Sequence, residues 1–496
     1  MLAALERHAV EQPERIALDS GKKQLTYQQL LTAVTLLATE LHQTDAHALA
    51  LAADNSPAWA VADLACVRAG ITLIPVPHFF SPAQIGHLLR HAGVDAVITD
   101  RADSLALMFG GLSIAQQSAK PLSIGLDLIA IETPDVALPQ DCAKVTFTSG
   151  STGEPKGVCL NQSAMETVAF SLAESIGACR DDRHLSLLPY ATLLENIGGL
   201  YTPLIAGARI VVPGMAGVGM SGASGLDIGC FMAALHRAAA TTCIMIPQML
   251  HALVAALGQG AKKPATLRYL AVGGAPVSKH LLACAEAFAL PVFEGYGLSE
   301  AASVVAVNSH GICKPGSVGK PLTHVDLKFA EDGEILVRGA LFSGYLGDIP
   351  HSADDYWPTG DIGYLDEGGF LHLSGRKKHI FITAFGRNVS PEWVEQELSI
   401  ELAIGQCCVF GEARPFNVAI IVARQAALAD AVEQAIEAAN ARLPDYARVS
   451  RWIVADDTFS VANGLWTGTG RPRRQHIFNA FEERIDQLYN VIEGEI

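Results

Sequence analysis

The sequence predicts an α/β protein with a large N-terminal part built from βαβ units and a smaller α+β part after it. Three observations support this prediction. Short apolar strand-like segments alternate with amphipathic helix-like segments from the N-terminus onward. Half of the 496 residues are hydrophobic and 17% are charged, so large cores can form. At about 150 residues per domain, the length indicates about three structural units.

The predicted elements of the first 100 residues alternate regularly. They are a helix over 30–41, a strand over 48–51, a helix over 59–68, a strand over 71–76, a helix over 82–92 and a strand over 94–99. Alternation of this kind favours a parallel sheet whose connections are helical. The sequence shows no repeat of fixed period.

Two later segments decide the predicted domain organisation. Residues 215–229 are rich in glycine and serine and are predicted to form a flexible connection. Around Ser374 the pattern changes to closely spaced strands and helices that end in a helix over 475–489. We therefore predict an N-terminal domain over 1–374 and a small C-terminal domain over 375–496.

Charge and apolar patterning exclude several classes of partner. The net charge of −16 and the pI near 5.4 argue against nucleic acid or an anionic membrane as the main partner. The apolar stretch 46–77 is interrupted by Asp54, Asp63 and Arg68, so it is too short to span a bilayer. The mean hydropathy of +0.27 still permits peripheral membrane contact.

The expected location is the cytoplasm. The first residues do not combine a basic segment with an apolar one, so no signal peptide is expected. Ten cysteines are present, without a Cys-x-x-Cys pair or a His/Cys cluster of zinc spacing. We expect reduced and mostly buried thiols, including the adjacent Cys407 and Cys408.

The most informative segment is KVTFTSGSTGEPKGVCL, residues 144–160. Residues 145–148 read as a buried strand and residues 158–160 as a returning strand. The loop between them is made of glycines and hydroxyl residues and ends at Lys156, a composition suited to phosphate. Neither the P-loop pattern nor the dinucleotide-binding pattern fits the segment. It predicts a site for a nucleotide polyphosphate, and the plain alternative is a polar surface hairpin.

Further motifs follow in order along the chain. A strand-like run, Leu290–Phe293, leads through Glu294 into Gly-Tyr-Gly-Leu-Ser-Glu at 295–300. Thr-Gly-Asp stands at 359–361, Gly-Arg-Lys-Lys at 375–378 and Gly-Arg-Asn-Val-Ser-Pro at 386–391. With these motifs the chain resembles the adenylate-forming superfamily of acyl-CoA synthetases, peptide-synthetase adenylation domains and luciferases, over residues 25–489. The resemblance implies a large N-terminal adenylate-forming domain and a small mobile C-terminal domain.

The resemblance implies a phosphate and metal site. The residues it places around the β- and γ-phosphates of ATP are Thr148, Ser149, Gly150, Ser151, Thr152, Gly153 and Lys156. Glu300 matches the acid that binds Mg²⁺, and a hard cation prefers such an oxygen ligand. The plain alternative for Glu300 is a solvated acid after a turn.

The resemblance also implies a nucleoside site. The residues that it assigns to the bound nucleotide here are Gly273, Gly274, Ala275, Tyr296, Gly297 and Ser299, with Tyr296 stacking on the adenine base. Asp361 matches the carboxylate that accepts both ribose hydroxyls, and Arg376 is a second ribose or phosphate contact. A core tyrosine is the alternative interpretation of Tyr296.

Lys378 stands at the position where the small domain of such enzymes pivots between two half-reactions. A surface lysine is the alternative, and the neighbouring Lys377 makes the assignment ambiguous. Gly386 matches the loop that lines the pantetheine tunnel, although an ordinary turn glycine explains it equally well.

Three residues depart from the family pattern. Ser299 replaces a commoner threonine and keeps the hydroxyl. Thr192 stands where relatives often carry histidine or an aromatic residue beside the acyl site. Arg471 occupies the place of a lysine that reaches the α-phosphate and the acid during adenylation. We predict that Arg471 is the catalytic cation, since arginine keeps the charge but has a bulkier, planar head group. The alternative is a surface basic cluster with Arg473 and Arg474.

The predicted function is the ATP- and Mg²⁺-dependent activation of a carboxylic acid, expected to be a fatty acid, and its transfer to CoA. Residues 467–474, Glu195 and the run 198–203 resemble long-chain fatty acyl-CoA synthetases. Two alternatives stay open. An acyl-AMP ligase would load a carrier protein, and a lapsed enzyme would only bind the nucleotide or the acyl adenylate.

Overall fold

The computed structural model describes residues 1–102, 119–148, 155–221, 225–352, 354–424, 429–467 and 470–490. The chain divides into two units. The first comprises Met1–Gly274, Ala285–Lys328 and Val337–Trp357, and the second comprises Ala275–Cys284, Phe329–Leu336 and Pro358–Ile496. The division at residues 374/375 stays a prediction.

The first unit contains a nine-stranded sheet with a parallel centre. Its strands, in spatial order, are Lys320–Pro321, Ala306–Val307, Val292–Tyr296, Tyr269–Val272, Thr242–Met245, Arg183–Leu185, Arg209–Val211, Ile16–Asp19 and Gln24–Thr26. The six strands from Val292–Tyr296 to Ile16–Asp19 run parallel. Buried aliphatic side chains on these strands explain their near-continuous apolar sequences.

A second sheet of eight strands belongs to the same unit. In spatial order its strands are Gly344–Tyr345, Lys156–Asn161, Cys142–Thr148, Thr72–Pro75, Ala48–Ala52, Ala96–Thr99, Asp127–Ala130 and Lys120–Pro121. Four neighbouring strands are parallel, and the flanking pairs are antiparallel. The strand that leads into the predicted phosphate loop is therefore the last parallel strand, and the strand leaving that loop turns back beside it.

The helices begin where the sequence supplies caps. Thr26 and Gln29 form a reciprocal capping box, so this helix starts at Tyr27 rather than at the predicted residue 30. Ser81 and Gln84 cap the helix that starts at Pro82 as predicted. The α-helices up to residue 287 are Leu2–Glu11, Tyr27–His42, Pro57–Ala69, Pro82–His91, Gln162–Ser175, Leu193–Glu195, Thr202–Ile205, Ile228–Arg237, Pro247–Gly258 and Lys279–Ala287. A π-helix, Asn196–Tyr201, lies between two of them.

The prediction of a flexible connection over 215–229 is wrong for the residues that the structure describes there. A 3₁₀ turn, Ala216–Val218, is followed by an antiparallel pair, Met220–Ser221 with Gly225–Leu226. The Asp227 side chain then accepts a hydrogen bond from the Cys230 amide and caps the helix Ile228–Arg237. Composition alone suggested a linker, whereas this cap and these turns fix the backbone.

The second unit is built on a three-stranded sheet. The strand Ile404–Phe410 pairs antiparallel with Asn417–Ala423, which pairs parallel with Val449–Val454. The other elements from residue 326 onward are the strands Asp326–Phe329, Glu334–Arg338, Trp357–Leu365, Leu371–Arg376, Phe381–Ile382 and Asn388–Val389 and the helices Pro391–Ser399, Ala429–Arg442 and Arg474–Asn490. The last helix agrees with the predicted 475–489.

Two cores cover the two faces of this small sheet. Cys407 packs into one core with residues of the helices Pro391–Ser399 and Ala429–Arg442. Cys408 packs into the other core with Ile477 and Ile485 of the last helix. Adjacent strand residues point to opposite faces, so the two neighbouring thiols are separated by the sheet. All ten cysteines are free, and six of them are buried.

The predicted fold class, an adenylate-forming α/β fold with a large N-terminal and a small C-terminal domain, agrees with this architecture. Within the described ranges, no helix has both the length and the apolar character needed to cross a membrane.

Candidate functional site

The phosphate segment forms the predicted hairpin. The strands Cys142–Thr148 and Lys156–Asn161 pair antiparallel, with Thr148 directly opposite Lys156. Lys156 is exposed and Thr148 is half-buried. The predicted phosphate residues Ser149, Gly150, Ser151, Thr152 and Gly153 lie outside the described residues. The structure therefore places the two ends of the predicted loop side by side at the edge of the parallel strands.

A tyrosine that the sequence reasoning missed connects Lys156 with Glu300. The Lys156 Nζ lies 5.1 Å from the centroid of the Tyr345 ring. The Tyr345 hydroxyl donates a 2.6 Å hydrogen bond to Glu300 Oε1. Tyr345 also pairs with Val158 on the returning strand of the hairpin. The sequence shows a short Gly-Tyr segment at this position. It does not show that Tyr345 contacts Glu300, 45 residues earlier, and Val158, 187 residues earlier.

The donor set around Glu300 fits a magnesium ion that is shared with a nucleotide. Mg²⁺ is usually held by one or two carboxylates together with phosphate oxygens and water. Glu300 supplies a carboxylate, and Tyr345 hydrogen-bonds to one of its two oxygens. In the part of the chain that the structure describes, no group of three or more His, Cys, Asp or Glu residues could hold a metal by itself.

The predicted adenine residues of the first unit lie after two neighbouring parallel strands. Val272 pairs with Glu294, so Gly273 and Gly274 leave their strand beside Gly295. Tyr296 is only 8% exposed, and its carbonyl accepts the Val305 amide at 2.8 Å. A Cβ atom at Gly297 would lie 1.5 Å from the Ser303 carbonyl oxygen, so only glycine fits there. Ser299 and Glu300 follow in a 3₁₀ turn, Ser299–Ala301.

Glu294, the residue before this motif, is a buried acid. Its side chain is 8% exposed, and Oε2 accepts the Gly316 amide at 3.0 Å. Burial raises the pKa of Glu294 to about 7, and the hydrogen bond from Gly316 opposes this rise only in part. The carboxyl group therefore titrates near neutral pH beside the predicted nucleoside residues.

The remaining predicted residues lie in the second unit and form a separate group. Asp361 and Arg376 face each other across the hairpin Trp357–Leu365 and Leu371–Arg376. The Arg376 Nε lies 2.8 Å from Asp361 Oδ1, and Arg376 Nη1 donates to the Thr359 carbonyl at 3.3 Å. Asp361 is 6% exposed. Both residues were predicted as ribose or phosphate contacts, but their ion pair was not predicted.

Arg471 belongs to the same group. Its pKa is lowered by desolvation and by the charge of Arg376, while Asp361 and Glu392 oppose the shift. The residue nevertheless keeps an exposed surface. Arginine remains charged at neutral pH in either case. Two guanidinium groups, those of Arg376 and Arg471, thus lie in the neighbourhood of the Asp361 carboxylate.

Arg474, one member of the basic cluster that the sequence offered as an alternative for Arg471, pairs with an acid. Arg474 Nη1 lies 2.6 Å from Glu395 Oε1, and Nη2 lies 2.9 Å from Oε2, a bidentate pair. Arg474 also donates to the Val409 carbonyl at 3.0 Å. It is therefore a structural residue of the second unit rather than a surface cation.

The adjacent residues Lys377 and Lys378 have different environments. Lys377 Nζ lies 2.6 Å from Asp332 Oδ2 and 2.7 Å from Glu334 Oε2. Desolvation and the neighbouring charge of Arg376 lower the pKa of Lys378. Lys377 is thus held by two carboxylates, and the assignment of Lys378 as the pivot stays a prediction.

Three other predicted positions are ordinary in their contacts. Thr192 hydrogen-bonds through its amide and its hydroxyl to the Pro189 carbonyl, immediately before the helix Leu193–Glu195. Ala275 is exposed and falls in the second unit. Gly386 has a φ of +72° in a turn between two short strands.

Residues 5–346 match the model of the AMP-binding enzyme family, and residues 378–493 match that of the AMP-binding enzyme C-terminal domain. Together these matches cover the phosphate hairpin and Arg471, whereas Asp361 and Arg376 lie between the two matched ranges.

Among the similar proteins is the long-chain-fatty-acid–CoA ligase FadD15 of Mycobacterium bovis, 25% identical over 87% of this chain and 86% of the relative. The 2-succinylbenzoate–CoA ligase of Geobacillus sp. is 29% identical over 82% of this chain and 83% of the relative. The crystal structure of the anthranilate CoA ligase AuaEII with anthranoyl-AMP aligns with a TM-score of 0.79 at 20% identity. It covers 97% of this chain and 96% of that chain, which shows a shared fold.

These matches confirm the predicted resemblance and the predicted enzyme class, an AMP-forming acid–thiol ligase. The chain belongs to the AMP-binding enzyme family.

Proposed function

We propose that this enzyme activates a carboxylic acid with ATP to an acyl adenylate and then transfers the acyl group to the thiol of CoA. The observation that carries the proposal is the chemistry of the two residue groups. One combines Lys156, Tyr345 and Glu300, and the other combines Asp361, Arg376 and Arg471. Each group pairs cations with a carboxylate, as a magnesium nucleotide requires.

The first unit is assigned to the triphosphate and the base. Lys156 supplies a point charge to the β- and γ-phosphates, with Thr148 and the glycine and hydroxyl residues 149–153 of the loop around them. Glu300 would hold Mg²⁺, which neutralises phosphate charge when bound. Gly273 and Gly274 border adenine, and Tyr296, Gly297 and Ser299 form its other side. ATP and Mg²⁺ fit the adenylate-forming family to which the chain belongs.

The second unit is assigned to the ribose and to the reacting phosphate. Asp361 accepts the ribose hydroxyl groups, for which an ionised acid with two oxygens is suited. Arg376 orients Asp361 through their ion pair and contacts the ribose or a phosphate. Arg471 is the cation that stabilises the charge of the transition state.

The reaction has two displacements. A carboxylate oxygen of the acid attacks the α-phosphorus of ATP, and the bond to pyrophosphate breaks. The thiol sulfur then attacks the acyl carbon of the mixed anhydride, the thiol proton is lost, and AMP leaves with the bridging oxygen. In the proposed division into domains 1–374 and 375–496, Lys378 serves as the pivot between these steps.

The acid is the least defined part of the proposal. Relatives are named for a long-chain fatty acid and for 2-succinylbenzoate, two acids of very different shape. We retain a fatty acid as the proposed substrate, with the segment from Thr192 to Gly199 bordering it. A cytoplasmic location with peripheral membrane contact suits such a substrate.

The test measures pyrophosphate release with ATP and Mg²⁺ over fatty acids of graded length and over aromatic acids, with and without CoA. We expect release that requires an acid and is accelerated by CoA. Acid-dependent release that CoA leaves unchanged would favour a carrier protein as the acceptor. ATP binding without release for any acid would refute the ligase and favour a binding protein.

The role of Arg471 is tested by single-turnover adenylate formation. Removing a catalytic donor of this kind costs about 2.7–4 kcal/mol, or about 10²–10³-fold in rate. We expect such a loss in Arg471→Ala and a partial recovery in Arg471→Lys. Arg473→Ala is the matched control, because Arg473 is a neighbouring arginine outside the proposed site. An Arg471→Ala variant with the wild-type rate would refute the assignment.

A further inference from the structure

Four polar side chains form a closed ring in the interior of the first unit. They are Asp63, Lys144, Asn196 and Tyr201, and none is more than 1% exposed. Lys144 Nζ donates to Asp63 Oδ1 at 2.5 Å, to the Tyr201 hydroxyl at 3.0 Å and to Asn196 Oδ1. Tyr201 donates to Asp63 Oδ2 at 2.6 Å, and Asn196 Nδ2 donates to the same oxygen at 3.5 Å. The three protons of the ammonium group therefore all have acceptors inside the ring.

The ring connects the three parts of the unit from which its members come. Asp63 lies on the helix Pro57–Ala69, and Lys144 lies on the strand that enters the phosphate loop. Asn196 and Tyr201 are the first and last residues of the π-helix. The ion pair thus connects the strand Cys142–Thr148 with the π-helix, part of which the proposed function places beside the acid.

The spacing of Asn196 and Tyr201 fits the π-helical conformation of this segment. In an α-helix, residues five apart point about 140° away from each other, since successive residues turn by about 100°. Hydrogen bonds from residue i+5 to residue i bring such residues back to the same side. The Thr202 amide bonds to the Ile197 carbonyl in this way. Both ends of the π-turn can then reach one ion pair.

Burying these four polar side chains costs free energy unless each of them has its hydrogen-bond partners. Burial lowers the pKa of Lys144, and the Asp63 charge opposes that shift. Burial and the Asp63 charge raise the pKa of Tyr201, so its hydroxyl stays protonated and remains a donor. A buried ion pair contributes little to stability compared with apolar residues of the same size, but it can select one arrangement over another.

We propose that the Asp63–Lys144 ion pair holds residues 196–201 in the π-helical register and thereby determines which acids the enzyme accepts. This inference rests on the proposed function, which places residues 192–199 beside the acid. Lys144 and Asp63 are positioning residues, because they act through Asn196 and Tyr201 rather than on the acid itself. Loss of the extra residue in the π-turn would rotate the preceding segment, including Thr192, relative to the sheet.

The experiment replaces the whole ring with apolar residues of similar size. The quadruple variant carries Asp63→Leu, Lys144→Met, Asn196→Leu and Tyr201→Phe, so that no charge is left unpaired. Tyr201→Phe alone removes one end of the connection and serves if the quadruple variant does not fold. Arg268→Met is the matched control, since it breaks the ion pair with Asp182 elsewhere in the same unit.

Two measurements are made on each variant. A crystal structure shows whether the Thr202 amide still bonds to the Ile197 carbonyl or moves to the Gly198 carbonyl. The ratio of kcat/KM for a straight-chain acid and an aromatic acid measures selectivity, and the KM for ATP is followed in parallel. We expect the bond to move and the ratio to change by about 10²-fold, the effect of an ångström-scale displacement. The KM for ATP and the control variant should stay at wild-type values.

An unchanged hydrogen bond at Ile197 in the quadruple variant would overturn the inference about the π-helix. A shifted bond with an unchanged selectivity ratio would overturn the positioning role. If the wild-type enzyme activates no acid at all, the proposed function fails instead. The crystal structure would then still decide whether the ion pair sets the register.

Discussion

Replacing Glu294 by glutamine is expected to remove a pH dependence from the stability of the first unit. Glu294 is buried, and its pKa is raised from 4.5 to about 7. The folded protein therefore holds this proton more tightly than the unfolded chain does. The stabilisation is fully present below pH 4.5 and is lost as the pH rises through 7. A pKa shift of this size corresponds to a loss of about 3 kcal/mol in the free energy of unfolding by about pH 8.

The structure indicates which groups contribute to this titration. The Gly316 amide donates to the carboxylate and favours the ionised form, although burial outweighs it. Cys313 lies close enough that the Glu294 charge adds to the effect of desolvation in raising the pKa of that thiol. Glutamine keeps an acceptor oxygen for Gly316 but has no proton to lose, so its contribution should not change with pH.

The assay is urea unfolding of wild type and Glu294→Gln at a series of values from about pH 5 to about pH 8. As the pH rises across this range, we expect the free energy of unfolding of the variant to increase by about 3 kcal/mol relative to that of wild type. Glu286→Gln, at an exposed carboxylate of the same unit, is the control and should show no such gain. A difference between wild type and Glu294→Gln that stays constant with pH would refute the reasoning.

Three further outcomes follow from buried groups. Arg474→Met leaves the buried Glu395 unpaired and should destabilise the second unit by about 3–5 kcal/mol in urea unfolding, whereas a loss below 1 kcal/mol would contradict this view. In Gly199→Ala, the new Cβ would lie 2.2 Å from Glu195 Oε1, so overpacking should cost about 1–3 kcal/mol, and an unchanged melting temperature would argue against it. Burial lowers the pKa of His324 to about 4, so the free energy of unfolding should fall as the pH drops from 6.5 towards 4. The His324→Asn variant should show a flatter decline. An equally steep decline in the variant would exclude His324 as its source.

Local patterns predicted much of the fold because they act over a few residues. The helix at Pro82 was predicted at its true start, since proline fixes the first helical position after Ser81. The phosphate hairpin was predicted from a β-branched strand, a glycine-rich loop and a returning strand. The segment 215–229 was predicted wrongly because its composition hid the cap at Asp227.

For the candidate site, the sequence suggests residues, whereas the connections between them come only from the structure. Asp361 and Arg376 were selected from motifs 15 residues apart, but only the hairpin register shows that they form an ion pair. Tyr345 and Lys144 were not assigned any role. A lysine within a strand looks like a solvent-facing residue, and its buried partners stand 52 to 81 positions away in the sequence. Such pairings arise from tertiary packing, which periodicity does not encode.

The ion pair between Asp63 and Lys144 also constrains how this chain can be recombined with its relatives. Its two charges lie 81 positions apart, so a chimaera with a crossover between them keeps only one of them when the relative lacks the same pair. The orphaned charge would be buried, at a cost of about 3–5 kcal/mol. Exchanges of acid specificity within the family should therefore transfer Asp63, Lys144 and residues 196–201 as one block.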